Sequence, residues 1–237
     1  MKVVGIIPAR YSSTRFPGKP LAIIKDKSMI QRVYEQCKKS KELSEVIVAT
    51  DDQRIFNHVK SFSGKVVMTN KNHLTGTERC NEAVKNMKIN AEIILNIQGD
   101  EPFINPNQIK ELIKLFKNEN TEIGTLAKKI TANEFLNNPN NPKAIFDKNG
   151  NAINFCRNIK NPEKNTIYYK HIGIYGYRME ILNKICELKE TDNEREEKLE
   201  QLRWLDNNYK IKIGITSYES LSIDTPEDIL RILCKIR

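Results

Sequence analysis

Val3-Val4-Gly5-Ile6-Ile7-Pro8-Ala9-Arg10-Tyr11-Ser12-Ser13-Thr14-Arg15-Phe16-Pro17-Gly18-Lys19-Pro20 is the stretch whose reading decides the fold. The β-branched run 3–7 predicts a buried strand, and it opens into a small, hydroxyl-rich loop with three cations. A strand of this kind delivers its loop to a polyanion. Arg10, Arg15 and Lys19 can meet several phosphate oxygens at once, with Ser12, Ser13, Thr14 and the local backbone N–H groups filling in between them. Gly18 is the loop's single glycine, so the spacing fits neither a P-loop nor a dinucleotide fingerprint. A triphosphate can sit here, but not in the manner of a P-loop NTPase. The plainer alternative is a basic surface loop bounded by prolines.

Behind this loop, strand and helix patterns alternate. Helical spacing covers 29–39, a second strand covers 45–50, and Asp51-Asp52 read as the cap and first turn of a helix ending near 61. A short strand follows at 65–68, a helix at 77–88 with Thr77 as its cap, a strand at 92–97, and a helix at 106–117 with proline in its first turn. Continuous apolar strands separated by helices imply a mostly parallel sheet covered on both faces. After about residue 120 the pattern turns β-rich. Strands are expected at 123–130, 143–146, 152–157 and 168–177, with Asp147-Lys148-Asn149-Gly150 as a hairpin turn and Pro/Asn-rich loops at 137–142 and 158–165. Helices at 179–188 and 194–206, a strand at 210–216 and a helix at 226–235 close the chain. The expectation is one α/β domain over 1–237 with a β-rich insertion at about 131–178. Ligands of such sheets bind at the carboxyl ends of the strands, which puts the loops 8–20, 69–77 and 98–104 and the segment 221–228 on one rim.

The chain has 237 residues, 39% hydrophobic and 29% charged, which suits one globular domain with an elaboration. No apolar run approaches the roughly 18 residues of a membrane span, and Arg10 and Lys19 follow the first apolar run too closely for a secretion signal. A cytoplasmic protein without a membrane partner is expected. Cys37, Cys80, Cys156, Cys186 and Cys234 are scattered with no C-x-x-C pair, which indicates neither a zinc site nor a disulfide framework. The net charge of +9 is spread along the chain without stacking aromatics, which favours a lysine-rich surface around an anionic substrate over nucleic-acid binding.

Chemistry concentrates in a few places. Gln98-Gly99-Asp100-Glu101-Pro102 sets a carboxylate at a strand end beside a glycine, an arrangement that suits Mg²⁺, and Asp224 is the natural second ligand. Asp224-Thr225-Pro226-Glu227-Asp228 equally reads as an ordinary helix start. Thr75-Gly76-Thr77-Glu78-Arg79 opens a helix whose free N–H groups favour an anion or a polar base edge; the alternative is a capping box with Arg79 on the surface. His171, Gly173, Tyr175 and Tyr177 share one face of a strand, where a lone histidine is more often a structural hydrogen-bonding group than a catalyst. Arg157 and Glu200-Gln201 taken singly read as surface residues. No Ser/His/Asp or Cys/His arrangement stands out, so metal, charge and positioning, rather than a covalent nucleophile, are the expected means.

The blocks 6–21, Val48-Ala49-Thr50-Asp51, His73-x-Thr75-Gly76-Thr77-Glu78-Arg79, Asn96-x-Gln98-Gly99-Asp100-Glu101-Pro102, 171–178, Leu199-Glu200-Gln201-Leu202-Arg203 and 224–228 together resemble the 3-deoxy-manno-octulosonate (Kdo) cytidylyltransferases, in the family's order and over nearly the whole chain. The resemblance implies a Rossmann-like, GT-A-like nucleotidyltransferase sheet with a smaller β element that makes a homodimer. It implies that CTP and Kdo give CMP-Kdo and pyrophosphate with Mg²⁺, for lipopolysaccharide synthesis. By position it implies Ala9, Arg10, Ser13, Lys19, Thr75, Arg79 and Asp100 on the nucleotide, with Asp100 and Asp224 on magnesium and Arg10, Lys19 and both aspartates catalytic. Gln98, Arg157, His171, Tyr175, Glu200 and Gln201 match positions that hold the acidic sugar. The chain departs from the family around Asn140-Asn141-Pro142-Lys143 and after Phe155-Cys156-Arg157, on the sugar and dimer side, which leaves 8-amino-Kdo or another 2-keto sugar acid as the alternative substrate.

Overall fold

The structure, a computed structural model, describes residues 1–131, 136, 138–159, 162–163, 166–219 and 221–235, with the side chains of 234 and 235 excepted. Parts of the expected loops 137–142 and 158–165, part of the 131–178 insertion and the Cys234 side chain lie outside the described residues. In chain order the first elements are β1 (Val3–Ala9), a 3-10 helix (Lys19–Leu21), β2 (Ile23–Ile24), β3 (Lys27–Ser28), α1 (Met29–Lys38), β4 (Glu45–Thr50), α2 (Gln53–Ser61), β5 (Val66–Met68), α3 (Gly76–Asn86), β6 (Ile93–Asn96) and α4 (Pro106–Leu115). Then come β7 (Ile123–Lys129), β8 (Lys143–Phe146), β9 (Ala152–Cys156), β10 (Tyr169–Arg178), α5 (Met179–Cys186), α6 (Asp192–Glu197), α7 (Gln201–Asp206), β11 (Ile211–Ile215) and α8 (Pro226–Lys235). The chain divides into two compact units, Met1–Ile109 with Glu219–Arg237, and Lys110–Tyr218.

In the first unit β6, β1, β4 and β5 lie side by side in that order, all parallel. The residues of β6, β1 and β4 are buried almost without interruption, as expected of strands covered on both faces, while edge strand β5 runs from buried Val66 to exposed Met68. Pro8 and Ala9 pair with Ala49 and Thr50, so β1 runs two residues beyond the expected strand and holds the start of the cationic loop against β4. Met29, Ile30, Val33 and Cys37 form the buried stripe of α1, whose first turn is capped by Ser28 accepting from the Gln31 N–H. Asp52 alone caps α2; Asp51 points elsewhere. The cap of α3 is Thr75, two residues before the expected Thr77, and Thr77 is buried inside the first turn.

The second unit is mixed. β11 and β7 are parallel, β7 and β10 antiparallel, and β8 and β9 make the expected hairpin. Its turn is tied by the Asp147 carboxylate accepting from the Asn149 and Asn151 N–H groups, with Gly150 at φ 78°. In the core of this unit Tyr175 and Tyr177 stack nearly parallel, and Trp204 packs edge to face on both. The single helix expected over 194–206 is instead two, α6 and α7, separated by Lys198 at φ 53°. Cys37, Cys80, Cys156 and Cys186 carry free thiols. No helix among the described residues is long and apolar enough to cross a membrane.

Candidate functional site

In the first unit a pocket of 340 Å³ opens at the carboxyl ends of β1 and β6. The four segments that the strand order puts on one rim all line it. Ala9, Arg10, Ser13, Lys19, Thr75, Arg79, Gln98, Asp100 and Asp224 are all in its wall.

Lys19 stands at the centre. Its ammonium donates to Asp100 Oδ2 at 2.7 Å and to the Ile223 carbonyl at 3.0 Å, and it lies 3.4 Å from Asp224 Oδ1. Arg15 donates to the same Asp224 oxygen at 2.9 Å. The two aspartates, far apart in sequence, are brought together by backbone: the Ile223 N–H donates to the Asp100 carbonyl at 2.9 Å. Capping of the following helix falls to Asp228, whose carboxylate accepts from the Asp224 and Thr225 N–H groups at 3.0 and 2.9 Å. Asp224 is thereby excused from the helix-start role and turns its carboxylate to the cations.

A compact cation shared by two carboxylates marks a donor set that fits Mg²⁺. That ion is held by one or two carboxylates while phosphate and water complete its octahedron. The described residues contain no cluster of three or more His, Cys, Asp or Glu that would make an all-protein cage. Lys19 here occupies the place of a positive charge between Asp100 and Asp224.

Two glycines let the backbone close in. A Cβ on Gly99 would come within 2.8 Å of the Pro8 carbonyl, so only glycine lets the Gln98–Asp100 loop lie against the end of β1. Gly18 sits at φ 72°, turning the chain into the 3-10 helix that carries Lys19.

Opposite these, Thr75 accepts from the Glu78 N–H at 3.1 Å while Glu78 reaches back to the Leu74 N–H at 2.9 Å, a reciprocal cap of the sort the Thr-x-x-Glu spacing predicts. Arg79 is buried rather than on the surface, with 3% of its side chain exposed. Its guanidinium donates to Asp51 at 2.8 Å, to Thr69 at 2.7 Å and to the Asn70 carbonyl at 3.3 Å, fastening the 69–75 loop to the end of β4. Gln98 donates to Asn96 Oδ1 at 3.3 Å.

The remaining sugar-side candidates belong to the second unit. Arg157 spends its fork on backbone: Nε donates to the Glu197 carbonyl at 2.6 Å, Nη1 to Pro139 at 3.0 Å and Nη2 to Lys198 at 3.0 Å. Of the five N–H groups of the guanidinium, two have no hydrogen-bond partner among the described residues. Beneath it the fully buried Lys143 donates to the Arg157 carbonyl at 2.7 Å and to Asn138 at 2.9 Å, and desolvation pulls its ammonium pKa down.

His171 is buried, and desolvation lowers its pKa to about 3, so the ring is neutral. The Thr125 hydroxyl lies 2.8 Å from the Ile174 carbonyl, 3.2 Å from the Ile172 carbonyl and 3.0 Å from His171 Nε2; with its one proton on a carbonyl, Nε2 is the donor to it. Tyr175 beside it has a phenol held well above its usual pKa by burial and by the Glu200 carboxylate. Tyr175 Oη and Gln201 Nε2 are buried with no hydrogen-bond partner among the described residues. Buried polar atoms left in this state point to a ligand that supplies the missing partners.

Asp228, Asp51 and Tyr11 escaped the sequence reading as contributors to the site. For Asp228 a signal was present, since Thr225-x-x-Asp228 has the capping-box spacing. Asp51 beside Asp52 looked like a second capping residue, and nothing local tells it from its neighbour.

Comparison with known proteins shows the chain's family. A model of the cytidylyltransferase family matches residues 4–213. The 3-deoxy-manno-octulosonate cytidylyltransferase of Parabacteroides distasonis is 50% identical, covering 98% of this chain and 97% of its own. Its counterpart from Fusobacterium nucleatum is 46% identical over 100% and 98%. The solved CMP:2-keto-3-deoxy-manno-octonic acid synthetase complexed with CTP superposes with a TM-score of 0.93 at 36% identity, over 100% of this chain and 98% of that one. The chain belongs to the cytidylyltransferases, in the family of the 3-deoxy-manno-octulosonate cytidylyltransferases.

Proposed function

We infer that this chain activates 3-deoxy-D-manno-octulosonate with CTP, giving CMP-Kdo and pyrophosphate. The observation that carries it is the Lys19 ammonium shared by Asp100 and Asp224 at the mouth of a cationic loop, in a chain of this family. The anomeric hydroxyl of the sugar attacks the α-phosphorus, a P–O bond forms, the bond to the β-phosphate oxygen breaks, and pyrophosphate leaves. No side chain is needed as nucleophile.

Arg10, Ser13 and Lys19 hold the triphosphate, with the Ala9 backbone at the strand end and Thr75 on the nucleotide side. Arg79 acts by keeping the 69–75 loop in place. Asp100 and Asp224 hold Mg²⁺, which when bound draws charge from the phosphate oxygens and steadies the departing pyrophosphate. With a cation on those carboxylates, the Lys19 ammonium would serve the phosphate oxygens. Arg157, His171, Tyr175, Glu200 and Gln201 of the second unit hold the sugar acid, with Arg157 N–H groups on its carboxylate and the Tyr175 and Gln201 atoms on its hydroxyls; Gln98 of the first unit is a further sugar-side candidate.

We place the reaction in the cytoplasm, with neither nucleic acid nor membrane as partner. We further propose a homodimer formed through the β-rich segment, supported by Ile145 and Ile153 standing 37% and 63% exposed on the β8–β9 hairpin. Sedimentation that gave only monomer would remove it. Pyrophosphate release measured with Mg²⁺, each nucleoside triphosphate and a panel of keto sugar acids tests the whole reading. Release is expected with CTP and Kdo; none with any sugar would overturn it, and release with 8-amino-Kdo in place of Kdo would shift the substrate.

A further inference from the structure

The far end of the cationic loop is held by the Arg15 and Lys19 contacts to Asp224 and Asp100 and by Phe16 packed against the Ile24, Met29 and Ile223 cluster. Arg10, Ser12, Thr14, Arg15 and Pro17 are exposed; inside the loop the Lys19 N–H donates to the Phe16 carbonyl at 3.1 Å, and two further backbone bonds converge on one atom. The Tyr11 carbonyl accepts from the Ser13 N–H at 3.0 Å and from the Gly18 N–H at 2.9 Å, so it ties the two ends of the loop together. The phenol end of the Tyr11 ring lies against Gly18, where an added Cβ would sit 3.1 Å from Cζ and from Oη. Arg54 stacks over the same ring, its guanidinium carbon 3.3 Å from the ring centroid.

Arg54 is no ordinary surface cation. Although 58% of its side chain is exposed, its Nε and Nη2 are gripped by the two oxygens of Asp52 at 2.9 and 2.7 Å. Asp52 is in turn fixed as the cap of α2. The Asp52–Arg54 hydrogen bonds hold the Asp52 carboxyl pKa down and the Arg54 guanidinium pKa up, so the pair stays charged. A helix end, a bidentate ion pair, a stacked ring and a glycine thus form one column. At its far end is the turn that delivers Lys19.

We propose that Asp52, Arg54 and Tyr11 are positioning residues that brace the 10–19 loop in its CTP-binding shape without touching CTP. The proposal rests on the assignment of that loop to the triphosphate. Without the brace, Arg10, Ser13 and Lys19 must be ordered at the moment of binding, which weakens CTP and leaves the sugar acid alone.

Calorimetric titration of the full chain with CTP and Mg²⁺, without sugar, tests it. Arg54→Ala and Tyr11→Leu should each weaken CTP by about two- to fivefold, the worth of an exposed cation–π contact. Tyr11→Phe keeps the ring face and should bind as the parent does. The double variant should be no weaker than the poorer single, because both break one column. The KM for sugar acid should be unchanged in all of them. Additive losses, equal rises for both substrates, or a Tyr11→Phe as weak as Tyr11→Leu would overturn the brace. Lys19→Ala separates the two ideas: if it weakens CTP while Arg54→Ala and Tyr11→Leu do not, the brace alone fails. If Lys19→Ala binds CTP as the parent does, the loop assignment fails and the brace with it.

Discussion

Lys19 in the first unit and Tyr175 in the second are both largely withdrawn from water, yet their polar atoms meet opposite fates. Every hydrogen-bonding contact recorded for the Lys19 ammonium is filled by protein, two carboxylates and a carbonyl. Tyr175 Oη, like Gln201 Nε2, is left without a partner among the described residues. On the nucleotide side, opposite charges neutralise one another in advance, and a ligand must compete with contacts already made. Around Tyr175, polar atoms are desolvated in advance, and a ligand that met them would relieve a penalty of about 1–3 kcal/mol for each group it satisfied. The first arrangement lends itself to a charged ligand that arrives with its own cation. The second discriminates among hydroxyl patterns, since an analogue lacking a partner leaves the penalty in place.

The largest expected effect breaks the nucleotide half. Asp100→Asn should lower turnover by about a thousandfold, the several kcal/mol a metal-assisted step loses with its ligand, while circular dichroism and melting stay native. A normal rate would end the role assigned to Asp100.

Next comes the sugar half, where binding and stability should part company. Tyr175→Phe deletes an atom with no protein partner among the described residues, so the fold should hold or gain up to about 1 kcal/mol, while the KM for Kdo rises about tenfold. Loss of stability in that variant would mean the hydroxyl is already satisfied. Arg157→Lys sharpens the contrast. It should raise the KM for Kdo and leave that for CTP unchanged, and it should also cost about 1–3 kcal/mol of stability, because three backbone carbonyls lose their donor. Equal rises in both KM values would count against Arg157 as a sugar ligand.

The smallest effect is pH dependence. Unfolded, the His171 ring takes up a proton below its ordinary value of 6.5; folded, it resists until about 3. Across that window the unfolded state binds more protons, so stability falls as pH falls, by about 1.4 kcal/mol per unit at most. Urea titrations of His171→Gln between pH 7 and 5 should show a shallower decline than the parent. Parallel curves would place the acid sensitivity elsewhere.

The same contrast decides what the sequence discloses. The first unit is legible because its site is local: each loop follows its strand, and strand order alone gathers the loops 8–20, 69–77 and 98–104 on one rim. The second unit hides its logic in long-range contacts. Nothing between 194 and 206 signals a break, as the stretch holds no glycine or proline. It breaks because Arg157 takes the carbonyls of Glu197 and Lys198, and Lys198 adopts the left-handed conformation to offer them. Tertiary hydrogen bonds there override helix propensity. Arg79 is the converse case. Its spacing looks like a surface turn of a helix, and Asp51, Thr69 and the Asn70 carbonyl, supplied by other strand ends, explain its burial.

Manganese binding followed by electron paramagnetic resonance on the CTP-loaded protein bears most directly on the account. It predicts one ion held with CTP by the parent, and at least about tenfold weaker uptake by both Asp100→Asn and Asp224→Asn, a loss of roughly 1.4 kcal/mol or more in each. Parent-like uptake by either variant would contradict it, for the two carboxylates would then not share a cation.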